Sequence, residues 1–129
     1  MRIRICAVGR LRKGPESSLL REYLLRFDRI GRPLGLGPAD MCEVEDRKGA
    51  DMAAEAALLM RRMPDRARLC VLDERGRMMS SPRFAGQLTR WRDDGARDAV
   101  FMIGGAEGTD PALRARAEMV LSFGQMVWP

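Results

Sequence analysis

The chain has 129 residues, of which 46% are hydrophobic and 32% charged, and a formal net charge of +5. That is one domain of ordinary soluble composition, which excludes a disordered segment and a second core. No apolar run approaches the ~20 residues of a membrane helix. With no signal-peptide core at its N-terminus, a cytoplasmic protein is expected.

Met1-Arg-Ile-Arg-Ile-Cys-Ala-Val8 alternates charged and apolar residues and reads as a first strand over 2–8. Gly9 to Gly14 is a basic loop. Its Arg10, Arg12 and Lys13 can hold phosphates, although on charge alone a solvated arginine-rich surface explains them as well. Pro15-Glu16-Ser17-Ser18 opens a helix to about Ile30, in which Leu19, Leu20, Tyr23, Leu24 and Phe27 recur at helical spacing and read as a core-facing stripe. Gly31 to Pro38 is a loop broken by glycine and proline. Met41 to Glu45 is a short second strand. Asp51 caps a helix over 52–63, which Pro64 ends. Arg68-Leu-Cys-Val-Leu-Asp73 is an apolar third strand, left by a turn at Asp73-Glu-Arg-Gly76. Ser80-Ser81-Pro82 starts the next helix, with Phe84, Leu88 and Trp91 as its buried stripe.

The most informative stretch follows. Val100 to Ile103 is a run of apolar residues, as in a strand buried on both faces, and it ends on Gly104-Gly105, where the backbone can turn sharply or approach a ligand closely. Thr109 or Asp110 can cap a helix that Pro111 begins and that runs to about 118, and Met119 to Leu121 is a last strand. Strands alternating with helices imply an α/β fold, an open mostly parallel sheet with helices on both faces. Such sheets bind ligands at the carboxyl ends of their strands. Cys6, Cys42 and Cys70 are odd in number and read as small buried hydrophobes rather than a disulfide framework. The chain has no histidine, which excludes metal sites built on His and triads with a His base; no metal is expected. The first βα turn, Val8 to Gly14, does not match G-x-G-x-x-G, and a nicotinamide-type oxidoreductase is disfavoured.

Phe101-Met-Ile-Gly-Gly-Ala-Glu-Gly108, with Leu72-Asp-Glu-Arg-Gly76 before it and Leu121-Ser-Phe-Gly-Gln-Met-Val-Trp-Pro129 after it, resembles the RlmH (YbeA) family. Ala7-Val8-Gly9, Glu22-Tyr23 and Arg26-Phe27 also fit, so the similarity covers essentially the whole chain. The resemblance implies a single SPOUT methyltransferase domain over 1–129 with a trefoil knot, and S-adenosylmethionine as cofactor. It implies methylation of N3 of a pseudouridine in 23S ribosomal RNA of the ribosome, by a homodimer. By position, Leu72 or Asp73, Gly105, and the final loop of Gly124, Gln125, Met126, Val127, Trp128 and Pro129 would contact the cofactor, and Arg10, Arg12 and Lys13 the RNA. The family continues past this proline with a histidine-containing segment, a helix and a basic tail. The resemblance therefore also implies an incomplete knot, catalytic groups beyond Pro129, and weak or no turnover by this polypeptide. The alternative expectation is a catalytically inactive nucleotide- or RNA-binding domain of the same fold.

Overall fold

The structure, a computed structural model, describes residues 1–49 and 51–127. Strands β1 (Arg2–Val8), β2 (Ala39–Val44), β3 (Arg68–Arg77), β4 (Asp98–Ile103) and β5 (Met119–Leu121) alternate with helices α1 (Pro15–Gly31), α2 (Met52–Met60), α3 (Ser81–Asp93) and α4 (Pro111–Arg116). They form one sheet in the order β2-β1-β4-β3-β5, with every pairing parallel. The expected α/β class, the element order and the last strand all hold.

The helix starts follow the chemistry of their first residues. The Asp51 carboxylate accepts from the Ala54 N–H at 2.8 Å, and the Ser80 hydroxyl from the Arg83 N–H at 3.4 Å. At α4 the sequence allowed two caps, and the structure uses Asp110, whose Oδ1 accepts from the Ala112 N–H at 2.7 Å. Thr109 is left for another task.

Two apolar clusters cover the two faces of the sheet. On one face Leu59 of α2 and Leu113 of α4 pack on Cys6, Val71, Val100 and Met102. On the other, Leu88 and Trp91 of α3 pack on Ile3, Cys70, Ala99 and Phe101. Because β3 and β4 are interior, their side chains alternate between two buried faces, which is why Leu69–Leu72 and Ala99–Ile103 read as unbroken apolar runs, whereas β1, also interior, keeps Arg2 and Arg4 at its start.

Three elements depart from the sequence reading. Helix α2 ends at Met60, three residues early, because Arg62 and Met63 close tighter turns onto the Leu59 and Met60 carbonyls. The Asp73–Gly76 turn lies inside β3: pairing with β5 breaks after Leu72 and resumes at Arg77, and both residues face Leu121. The segment between them is an extended bulge. A Cβ on Gly76 would stand 2.6 Å from the Val120 carbonyl oxygen, so only glycine lets the strands approach so closely there. Finally, only part of the α1 stripe reaches the core: Phe27 packs against the cluster on the α3 face, and Leu20 and Leu24 are half-buried. Leu19 and Tyr23 are 54% and 56% exposed, because α1 stands off from α3 and leaves an apolar groove of about 650 Å³ between them.

Candidate functional site at the carboxyl edge of the sheet

The parallel register brings the ends of the strands into one row. Ala7 of β1 pairs with Ile103 of β4, Ile103 with Leu72 of β3, and Leu72 with Leu121 of β5. Just beyond this row, the basic loop after Val8, the bulge of β3 at Asp73, the glycine turn and the final segment all leave from this edge. Here side chains end and backbone groups no longer paired by the sheet begin.

The glycine turn is closed by the Gly108 N–H donating to the Gly105 carbonyl at 3.0 Å. Gly108 takes a φ of +89°, in the region that favours glycine. A Cβ on Gly104 would stand 2.6 Å from the Gly108 carbonyl oxygen and 2.8 Å from the Thr109 methyl, so the turn closes on itself only without a side chain there. Gly105 faces the Glu55 carboxylate of α2, whose oxygens lie 2.8 and 2.9 Å from where its Cβ would be. The final segment is anchored at its start. The buried Ser122 hydroxyl donates to the Gly124 carbonyl at 2.7 Å and accepts from the Gly124 N–H at 3.1 Å, with Gly124 at φ +144°.

Asp73 is the one acid whose side chain is entirely buried among the described ion pairs, at 0% exposure. Its carboxylate accepts from the Thr109 hydroxyl and, at 2.9 Å, from the Arg75 N–H. The Arg114 and Arg75 guanidinium groups stand 3.4 and 3.7 Å away. Burial by itself would raise this carboxyl, but the hydrogen bonds from Thr109 and Arg75, with the charges of Arg114 and Arg75, outweigh it and hold the group below the ordinary carboxylate range.

The residues singled out from the sequence therefore fall into distinct positions. Leu72 and Gly105 flank the gap between β3 and the glycine turn. The Asp73 side chain is spent on internal partners, leaving only its backbone for a ligand. Gly124 continues from β5, which neighbours Leu72, while Gln125, Met126 and Val127 are exposed beyond it. Trp128 and Pro129 lie outside the described residues. Arg10, Arg12 and Lys13 are exposed on the loop after β1, tethered where the Leu11 N–H donates to Glu43 at 2.9 Å. Sequence reasoning missed Thr109 and Arg114, which hold Asp73. It also missed Ile103, 37% exposed at the end of an otherwise buried strand. An apolar strand-terminal residue beside a glycine pair was the available signal.

This edge has the features of a nucleotide-type pocket: apolar strand ends, glycine-bearing loops that bare their backbone, and cationic side chains around them. The family described as predicted SPOUT methyltransferase matches residues 1–129. The chain belongs to the SPOUT methyltransferases. Among curated relatives, the ribosomal RNA large subunit methyltransferase H of Roseobacter denitrificans is 62% identical, that of Dinoroseobacter shibae 61% and that of Ruegeria pomeroyi 60%. Each match covers the whole of this chain and 83% of the relative. The resemblance read from the Ile103-Gly-Gly-Ala-Glu-Gly108 stretch is thus borne out along the full length of this SPOUT chain. Among the described residues no cluster of potential metal ligands occurs, and no helix is long and apolar enough to cross a membrane.

Proposed function

We propose that this SPOUT methyltransferase transfers a methyl group from S-adenosylmethionine to N3 of a pseudouridine in 23S ribosomal RNA of the ribosome, and that it works as a homodimer. The observation that carries the reading is the row Ile103–Leu72–Leu121 at the carboxyl edge, from which the glycine turn and the Ser122–Gly124 segment depart on either side of β3. It gains weight from relatives that are named large-subunit RNA methyltransferases.

The residues present fit the cofactor. Leu72, Ile103 and Leu121 offer an apolar surface for an adenine ring, and Gly105 and Gly124 present backbone with no Cβ of their own beside it, the Glu55 carboxylate facing Gly105. Gln125 to Val127, exposed beyond Gly124, would close over it as a further wall. When bound, S-adenosylmethionine supplies a methyl group activated on a sulfonium sulfur. The task left to the protein is chiefly positioning, since an in-line nucleophile held at contact distance gains a large effective concentration.

The nucleophile is an imide nitrogen that must shed its proton, and a cationic surrounding favours the anion. Arg75, half exposed in the bulge of β3, and the basic loop of Arg10, Arg12 and Lys13 supply that surrounding. The same loop would engage RNA phosphates beside the pocket, since β1 lies next to β4. The dimer reading is supported by apolar side chains left in solvent on α1 and in the final segment: Leu19, Tyr23, Leu25 and Phe123 are each more than half exposed.

The test is a single-turnover assay with protein in excess, methyl-labelled S-adenosylmethionine, and ribosomes whose 23S RNA lacks N3 methylation. Label is expected at one pseudouridine of 23S RNA. Label confined to other nucleotides of ribosomal RNA, at cofactor concentrations that saturate the protein, would overturn the assignment.

A further inference from the structure

The ladder between β3 and β4 stops at Leu72 and Ile103. Beyond that row no sheet hydrogen bond fixes how far apart the two departing segments stand, yet Leu72 and Gly105 are the two contacts proposed to flank the cofactor. What bridges them is a side-chain clamp. Asp73, next to Leu72, accepts the Thr109 hydroxyl, and Arg114 reaches the same carboxylate oxygen at 3.4 Å while donating to the Thr109 carbonyl at 2.6 Å. Thr109 is 3% exposed and is gripped by its hydroxyl and its carbonyl, and its methyl lies against Gly104.

We propose that Asp73, acting through Thr109 and Arg114, is the positioning residue of the cofactor pocket, setting the separation between the end of β3 and the glycine turn. The inference rests on the cofactor reading above. A buried charge is a poor way to gain stability, since apolar residues of similar volume do as well. What it provides is geometry. A carboxylate with hydrogen bonds fixed in direction holds the turn at one distance, where apolar packing would let it slide. The clamp touches no reacting atom; it acts through the backbone of Leu72 and Gly105.

The experiment measures binding of S-adenosylhomocysteine by calorimetry to the wild-type chain and to Thr109→Val, Thr109→Ser and Arg114→Met, with melting temperatures alongside. Valine keeps the shape of threonine and removes the hydroxyl; serine restores the hydroxyl without the methyl. Thr109→Val is expected to weaken binding by about tenfold or more, as for loss of a hydrogen bond to a charged group. Thr109→Ser should recover to within about threefold of wild type, a rescue that loss of packing alone would not give. Arg114→Met, whose side chain is partly exposed, is expected to weaken binding several-fold and serves if the valine variant does not fold.

Wild-type binding with Thr109→Val equally tight, or valine and serine weakened alike, would overturn the positioning role and leave the cofactor reading standing. If valine fails to fold and Arg114→Met binds as wild type, the role is likewise overturned. No binding by the wild-type chain would bring down the cofactor reading, and this inference with it.

Discussion

A carboxylate removed from water is costly unless its charge is met by donors, and Asp73 is met on every side, by Thr109, the Arg75 N–H and two guanidinium groups. Its folded pKa lies below the unfolded value of about 4. A lowered carboxylate pKa contributes stability that is fully present above the unfolded pKa and is lost as pH falls through the folded one. Asp73→Asn is therefore expected to lower stability at pH 7, and its deficit relative to wild type to shrink in urea titrations as pH falls below about 4; a deficit that stays unchanged as pH falls would contradict the assignment. Asp40, bonded twice at 2.9 Å by Arg4 across β1 and β2, is lowered in the same direction and adds to the same acid limb.

Burial pushes the Cys6 and Cys70 thiols up to about 12, which makes them poor nucleophiles at neutral pH. Iodoacetamide on the folded protein at pH 8 is expected to label the part-exposed Cys42 before either, as read by peptide mass spectrometry. Cys6 and Cys70 were legible in the sequence as buried small hydrophobes, whereas Cys42, read the same way, is only partly buried; Asp73 was legible as an acid ending an apolar strand. The role of Thr109 was not. Thr109 and Asp110 satisfy the same helix-start pattern, and only the approach of β3, distant in sequence, decides between them.

At the scale of elements, the glycine turn depends on the absence of one methyl group. Gly104→Ala would place a Cβ 2.6 Å from the Gly108 carbonyl oxygen, against backbone that cannot swing aside. The turn must then open, which is expected to cost roughly 1–3 kcal/mol, as overpacking does, and to weaken S-adenosylhomocysteine binding. Denaturant unfolding and calorimetry on the variant check both. Glycine pair, strand and helix start could all be read locally, because each is set by residues adjacent in sequence. The bulge in β3 could not, because its partner is β5, and a strand that pauses looks like a strand that ends. Helix α1 failed for the opposite reason. Its periodicity states that one face is apolar, not what that face meets, and here only Phe27 packs on the core while the rest walls a groove.

For the molecule as a whole, the parallel sheet gathers at one edge residues scattered along the sequence, with the basic loop after β1 beside the glycine turn after β4. If that loop holds RNA phosphates, the combined variant Arg10→Ala, Arg12→Ala, Lys13→Ala should bind 23S RNA fragments more weakly. Its salt dependence should flatten by about one unit of slope per lost contact. Its melting temperature should stay close to wild type, since all three side chains are exposed; an unchanged slope would place the RNA elsewhere. The charge excess alone could not show this, because exposed arginines on a solvated surface look the same in sequence. Only the topology brings them to the edge of the candidate pocket.

The most direct test of the central claim, that the carboxyl edge is the cofactor site, is an amide NMR titration with S-adenosylhomocysteine. The largest shifts are expected at Leu72, at Gly104 to Gly108 and at Ser122 to Val127. Shifts confined to Leu24, Phe84 and their neighbours on α1 and α3, without Leu72 or Leu121 that line the same groove, or no shifts at saturating ligand, would contradict it.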